Sequence, residues 1–175
     1  MSRRSVVAAV LLLGAALLAG CSTTVHMEPA KDANNPLCAD VTVGLKNAGS
    51  IADLDRRWTD AQATAAWGGP DGDSAILLRC GVTVPGPTAA LQCVTLEGVD
   101  WLVDPSETPF LRLTTYGRDP AVQLYIDTGA VSSNDVISSR ALIGAVTTIP
   151  ADGKCTTPDE LDEDVQSLLD GPPSE

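Results

Sequence analysis

The sequence predicts an α+β fold: an antiparallel meander of about four strands, with helices packed on one face and two disulfides as staples. Short apolar runs separated by Gly- and Pro-containing turns follow one another between residues 75 and 126, and strands joined by tight turns pair as antiparallel neighbours. Segments with helical spacing and capping residues lie before and after those runs. The composition, 44% hydrophobic and 19% charged residues, is that of an ordinary globular domain.

The N-terminus has the pattern of an export signal. Arg3 and Arg4 precede an apolar run at residues 6–19, which is shorter than the roughly 20 residues that span a bilayer. The run ends in Leu-Ala-Gly-Cys, which resembles the bacterial lipobox, because its small residues suit the signal peptidase and the Cys21 thiol can accept a diacylglyceryl group. We therefore predict a lipoprotein whose acyl chains, such as palmitate, anchor Cys21 to the membrane.

Composition changes divide the chain into four parts. Counting from Cys21 leaves 155 of the 175 residues, which is enough for one domain. The tether is assigned because its residues are polar and lack a hydrophobic period. The predicted parts are a signal peptide at 1–20, a lipid anchor and flexible tether at 21–36, an α+β envelope domain at 37–156, and an acidic C-terminal helix and tail at 157–175.

A short helix is predicted at the start of the domain. Asn35 can cap it, Pro36 occupies its first position, and apolar residues recur at helical spacing from Cys38 to Leu45. The alternation of β-branched residues at 41–43 would also suit a strand. We prefer the helix.

The middle of the chain carries the strand signals. Residues 51–70 lack a clear period and predict a long ordered loop with one turn of helix. Turns are predicted at residues 85–87 and 117–120, which contain Gly and Pro. The predicted strands span residues 75–82, 91–96, 110–116 and 121–126, and residues 98–103 either continue the second of these or pair with it.

Two helices are predicted after the strands. Ser133 can cap a helix that continues to about Val146 with a broad apolar side. Thr157 begins a capping box with Pro158 at the first helical position, and the following leucines and valine recur at helical spacing. The opposite face of this last helix is acidic, and we expect it to be solvated because its spacing does not match a calcium-binding loop.

Four cysteines remain once Cys21 is lipidated: Cys38, Cys80, Cys93 and Cys155. An even number in an exported chain predicts two disulfides, and it favours general secretion over the twin-arginine route, which exports folded proteins. A zinc site is not expected, since there is no Cys-x-x-Cys. Spacing alone allows Cys80 to pair with Cys93 across a hairpin, or Cys38 with Cys80 and Cys93 with Cys155.

Three short motifs occur in a recognisable order along the chain. They are Trp-Gly followed by Ala-Ile-Leu-Leu-Arg-Cys-Gly-Val within 67–82, Glu-Gly-Val-Asp-Trp-Leu at 97–102, and Thr-Thr-Tyr-Gly-Arg-Asp-Pro-Ala-Val at 114–122. Over about residues 37–146 the chain resembles a family of exported actinobacterial proteins, the domain of unknown function 3515. The resemblance implies an α+β envelope domain with no assigned activity or cofactor. It also implies the pairing Cys38–Cys80, which leaves Cys93–Cys155. The chain departs from the family pattern at residues 71–74 and in its acidic C-terminal helix.

Charge and motif content argue against several classes of function. Arg3 and Arg4 precede Cys21, so nine of the 11 basic residues remain against 23 acidic ones, a charge of −14, which is unfavourable for binding nucleic acid. Ser-His-Asp and Cys-His mechanisms need an imidazole beside the nucleophile, and His26, the single histidine, lies on the predicted tether. We therefore predict no catalytic residue, no metal site and no cofactor.

One group of basic and aromatic residues is the candidate ligand site: Arg79, Arg112, Arg118, Trp101 and Tyr116. The arginines lie on or between predicted strands, and a guanidinium group can clamp a carboxylate or phosphate. The simpler interpretation is that these arginines pair with acids near them in the sequence and organise the sheet edges. Those acids are Asp100, Asp104 and Asp119.

These observations predict a lipid-anchored protein on the extracytoplasmic face of the cell membrane. We expect a non-enzymatic binding or accessory module, whose partners are the membrane, through Cys21, and an envelope protein or a small anionic ligand. One alternative is a carboxylate-dependent hydrolase acting on cell-wall material, for which two carboxyls about 5–10 Å apart suffice. Another is a docking protein that uses its C-terminal amphipathic helix.

Overall fold

The computed structural model describes residues 24–70 and 72–156, and its main element is a single β-sheet. The strands are β1 (Ser50–Ile51), β2 (Leu54–Arg57), β3 (Thr64–Gly68), β4 (Ser74–Val82), β5 (Gln92–Leu96), β6 (Val99–Glu107), β7 (Phe110–Thr115) and β8 (Ala121–Asp127). The helices are α1 (Pro36–Gly44), α2 (Ser133–Ile137) and α3 (Arg140–Val146), and a 3₁₀ turn spans Leu45–Asn47. Within the described residues, no helix has the length and apolar character needed to cross a bilayer.

The sheet joins two antiparallel meanders. Its strand order is β1-β2-β3-β4-β8-β7-β6-β5, so β1–β4 form one meander, β5–β8 form the other, and β4 pairs antiparallel with β8 at the junction. The turn predicted at residues 85–87 is therefore not a hairpin. It belongs to a connection that carries the chain from the centre of the sheet to its far edge at β5.

The predicted number of strands, about four, was wrong, because the described residues form eight. Five of them, β4 to β8, match predicted strands. The other three lie in the stretch of residues 51–70 that was predicted as a loop, or begin at its edge. β2 reads Leu-Asp-Arg-Arg and β3 is buried along its whole length, so neither shows the alternation of a half-buried strand.

The sheet buries one face in the main core. Alternate residues of β4 and β8 point into it: Ile76, Leu78, Cys80, Val122, Leu124 and Ile126. Helices α1 and α3 pack against each other, α1 also contacts β4, and their buried side chains join the same cluster. The expected layer of helices on one face is thus too simple a description, since the helices contact chiefly one another.

Local capping explains where the helices start. The predicted cap of α2, Ser133, was wrong by one residue, because the Ser132 hydroxyl accepts the hydrogen bond from the Asp135 N–H (3.4 Å). The Asn35 side chain accepts a hydrogen bond from the Leu37 N–H (3.1 Å), with Pro36 at the first helical position, as predicted. The single helix predicted after β8 is instead two, because the chain leaves the helical path between α2 and α3. Ser138 lies at this break, and its hydroxyl donates to the Asp135 carbonyl (3.3 Å), a bond that competes with continued helix. The predicted C-terminal helix at 157–175 lies outside the described residues.

The N-terminal segment at residues 24–35, which we name the strap, is ordered against the domain. It was predicted as a flexible tether because it is polar, but its polar groups bond to the domain. The Val25 N–H donates to the Trp58 carbonyl (2.7 Å), and the Asp32 N–H donates to the Gly81 carbonyl (3.0 Å). Ala33 is buried in the core. The domain therefore begins closer to the predicted anchor at Cys21 than the sequence indicates.

Two disulfides tie α1 and the segment after α3 to the sheet. Cys38–Cys80 joins α1 to β4 inside the core, and Cys93–Cys155 joins β5 to the segment after α3. These are the pairs that the family resemblance implies. The bonds close loops of 42 and 62 residues, which corresponds to roughly 2–4 kcal/mol of stabilisation each.

We predict that Gly81→Ala destabilises the domain and loosens the strap. Gly81 has φ +92°, and an added Cβ would lie 2.3 Å from the backbone carbon of Asp32. The conformational strain costs about 1–3 kcal/mol, and the overlap adds to it. Denaturant unfolding should show this loss, whereas Gly86→Ala, where nothing lies within 4 Å, should change stability little. Equal stability of the two variants would contradict the proposed close contact.

Candidate functional site

The face of the sheet opposite the core, which we call the outer face, holds a cavity of about 300 Å³. Its floor consists of side chains from the three neighbouring strands β4, β8 and β7, namely Leu77, Arg79, Gln123, Tyr125 and Arg112. Its rim is the strap at residues 26–28. We call this cavity the outer pocket.

Strand register brings the floor together. Arg79 lies opposite Gln123, and both Leu77 and Arg112 lie opposite Tyr125. Because alternate residues of a strand share one face, these side chains all leave the sheet on the side away from Ile76, Leu78 and Leu124. The structure thus assembles Arg79 and Arg112, two residues of the predicted ligand site, from separate strands.

Arg79 is held in place by a neutral partner. Its Nη2 donates to the Gln123 side-chain oxygen (2.7 Å), and the Gln123 amide nitrogen donates to the Thr114 hydroxyl (3.3 Å). Among the described residues, no carboxylate oxygen lies within 4 Å of the Arg79 guanidinium. The guanidinium is therefore oriented, and its charge is not neutralised by an ion pair in the described part of the chain.

Arg112 has the opposite surroundings. Its guanidinium donates to Asp104 (3.2 Å) and to Glu107, and it lies 5.9 Å from the centre of the Tyr125 ring. The Tyr125 hydroxyl donates to Glu107 (2.8 Å), which raises the pKa of that phenol. Hydrogen bonds from Ser106, followed by the charge of Arg112, lower the pKa of the Asp104 carboxyl. Arg112 therefore organises an aromatic wall of the outer pocket.

The rim is fastened by one carboxylate. Asp60 accepts a hydrogen bond from His26 Nδ1 (2.5 Å) through one oxygen and from the Met27 N–H (2.9 Å) through the other. The hydrogen bond to Asp60 raises the pKa of His26, and the Met27 and His26 hydrogen bonds lower the pKa of Asp60. Glu28 follows on the same rim. The strap is thus held beside the outer pocket by a contact whose strength depends on the protonation of His26 and Asp60.

The other predicted site residues lie elsewhere. Trp101 is on the inner face, 1% exposed. Arg118 is 5% exposed and donates to the carbonyls of Ile149 and Gly98; burial lowers its pKa. Arg118 therefore ties the end of the α3 segment to the turn before β6, which is a structural role rather than a place in the outer pocket.

Tyr116 lines a second cavity, of about 360 Å³, beside the Cys93–Cys155 disulfide. Lys154 and Leu102 also contribute to its walls. The structure therefore divides the five predicted residues among the outer pocket, the core, a buried structural position and this second cavity.

Several pocket residues escaped the sequence analysis. Gln123 and Tyr125 could have been found, because they alternate with Val122, Leu124 and Ile126 and so belong to the face away from the core. The rim residues His26 and Glu28 give no such signal, since they reach the pocket through tertiary contacts of the strap.

The chemistry of the outer pocket is that of a binding site with charged and aromatic groups. Within residues 24–70 and 72–156, no three potential metal ligands cluster. A family model described as a protein of unknown function (DUF3515) matches residues 4–151. The chain belongs to this family. Comparison with curated proteins and with solved structures finds no match.

We predict that the strap is held most firmly in mildly acidic solution. His26, whose pKa is raised above 6.5 in the folded chain, contributes fully below pH 6.5, and its contribution is lost as pH rises through the raised pKa. Asp60, whose pKa is lowered below 3.8, contributes above that value and loses its effect as pH falls. Both pKa shifts partly reflect the same His26–Asp60 hydrogen bond, so its stabilising effect is counted once. We expect this contact to hold the strap most firmly between about pH 4 and 6.5, where His26 is charged and Asp60 is ionised.

Hydrogen exchange can measure this contact. Protection factors of the Val25 and Met27 N–H groups should fall as pH rises above the folded pKa of His26. His26→Gln should remove that fall while leaving the β4 amides unchanged. A pH profile identical in the two proteins would show that the imidazole does not hold the strap.

Proposed function

We propose that this DUF3515 protein is a lipid-anchored binding module on the extracytoplasmic face of the membrane, and that its ligand places an anionic group on Arg79 in the outer pocket. The observation that carries the proposal is the state of Arg79: an oriented guanidinium, in a cavity, with no ion pair among the described residues. Charge-assisted hydrogen bonds to carboxylate or phosphate are the strong contacts that such a group makes.

The position of the strap supports a role close to the membrane. His26, on the pocket rim, is five residues from Cys21. Five fully extended residues span at most about 18 Å. If Cys21 carries the lipid, the outer pocket is within that distance of the anchored residue, and a ligand there would be an envelope component or a small molecule near the membrane surface.

The disulfides agree with an exported protein. Disulfides persist in oxidising compartments and are rare in the cytosol of mesophiles, and four cysteines of this chain form two of them. Together with the Leu-Ala-Gly-Cys motif at residues 18–21, they support export followed by lipidation.

The surroundings of Asp104 suit it to hold Arg112, not to act as the general acid of a carboxylate-dependent hydrolase. A general acid in such an enzyme needs a carboxyl whose pKa is raised. Asp104 lies beside the outer pocket, but Ser106 and Arg112 lower its pKa and keep it ionised. Its role is to hold Arg112 and, through it, the Tyr125 wall.

We predict that Cys21→Ala releases the protein from the membrane. Without the thiol no diacylglyceryl group can be attached to residue 21, and the acyl chains that would hold the protein at the membrane are lost. Fractionation of cells that express each protein, followed by detection in membrane and soluble fractions, checks this. Cys21→Ala that remains on the membrane as wild type does would contradict the lipid anchor; Ser22→Ala is the control.

We predict that Arg79→Gln weakens binding of a carboxylate probe, 4-methylpentanoate, by roughly tenfold to a hundredfold, the range of one charged hydrogen bond. Calorimetric titration of the full chain measures it. Arg140→Gln removes an equal charge from α3, on another part of the fold, and should bind as wild type does. Equal binding by Arg79→Gln and wild type, with both folded by circular dichroism, would contradict the proposed site.

A further inference from the structure

We propose that the ligand of the outer pocket is a small zwitterion with an apolar body, of the amino-acid or short-peptide type, whose carboxylate binds Arg79 and whose ammonium group binds Glu28. This inference rests on the proposed function and specifies its ligand. The inference follows from the charges of Arg79 and Glu28, which line the same cavity but do not form an ion pair with each other.

Glu28 is the counterpart of Arg79 on the rim. Both residues line the outer pocket, yet no nitrogen of Arg79 lies within 4 Å of the Glu28 carboxylate, and Glu28 forms no ion pair with another described residue. The charge of Glu28 acts on His26, but the His26 ring is already bonded to Asp60. A cavity therefore separates an available cation on the floor from an available anion on the rim.

The remaining charges around the pocket disfavour a ligand that carries only negative charges. Arg112 carries one positive charge and contacts two carboxylates, Asp104 and Glu107, so this group contributes a net negative charge. The whole chain has a formal charge of −12. A dianion at Arg79 would be repelled by Glu28 and by the Arg112 group, whereas a zwitterion presents its positive end to those acids.

The space between the charges has apolar and aromatic walls. Leu77 lies on the floor, Met27 on the rim, and the Tyr125 ring stacks on Phe110 at a centroid distance of 5.1 Å. A volume of about 300 Å³ is at the small end of the range for ligand sites. A compact aliphatic or aromatic side chain that projects from the carbon carrying the two charged groups fits these walls.

Three probes that differ by one charged group test the inference. L-leucine carries the carboxylate and the ammonium group, 4-methylpentanoate is the same carbon chain with the carboxylate alone, and L-leucinamide has the ammonium group alone. Calorimetric titration of the full chain near pH 6 should give the tightest binding for L-leucine, at least tenfold tighter than for either analogue.

Two variants assign the contacts. Glu28→Gln should reduce L-leucine binding to the level of 4-methylpentanoate and leave binding of 4-methylpentanoate equal to or tighter than in wild type. Arg79→Gln should weaken both. Asp40→Asn removes an exposed acid on α1, away from the pocket, and should bind all three probes as wild type does.

The failures of the two proposals differ. If 4-methylpentanoate binds as tightly as L-leucine and both depend on Arg79 but not on Glu28, the zwitterion inference is wrong and an anion site at Arg79 remains. If L-leucine binds tightest but Arg79→Gln has no effect, the assigned site is wrong. If none of the three probes binds the folded chain at millimolar concentration, both the ligand class and the Arg79 site are contradicted.

Discussion

The antiparallel pairing of β4 with β8 is the contact on which the rest of the structure depends. These strands are the last of their two meanders, so without this pairing the sheet would be two separate four-stranded pieces, each with a further exposed edge. The same pairing sets which residues face each way. It aligns Ile76 with Ile126 on the core side and Arg79 with Gln123 on the outer face, and a shift by one residue would exchange the two sets.

The sequence predicts the parts of the fold that are governed by local chemistry. Short apolar runs bounded by turns that contain Gly or Pro identify β4 to β8, and Asn35 with Pro36 identifies the start of α1. β2 and β3 escape because tertiary contacts stabilise them: the Arg56 guanidinium lies 4.9 Å from the centre of the Trp67 ring and donates to the Leu45 carbonyl (2.9 Å). From the sequence alone, such an arginine would be assigned to the surface, because its contact with the buried tryptophan is visible only in the fold.

In the candidate site, too, the sequence predicts what local chemistry sets and misses what tertiary contacts set. Arg79 and Arg112 could be chosen from the sequence as arginines on strands, and the turn at residues 117–120 predicts that β7 pairs with β8. Neighbours in the chain do not reveal that β8 lies beside β4. The sequence groups Arg118 and Trp101 with these two arginines, but both are buried away from the outer pocket. Arg118 donates to the Ile149 carbonyl after α3 and to the Gly98 carbonyl before β6, and this role depends on where the segment after α3 returns to the sheet.

The strap leads from the predicted anchor at Cys21 to the rim of the outer pocket. Gly81 lets the strap backbone approach β4, Asp60 holds it beside the outer pocket, and Glu28 faces the cavity that contains Arg79. A ligand that contacts both Glu28 on the strap and Arg79 on the sheet would bind the docked strap and not a detached one. By linkage, such a ligand must then stabilise the docked strap to the same extent that docking strengthens its own binding. The His26–Asp60 contact would enter the same equilibrium, because any condition that favours the docked strap also favours the occupied pocket.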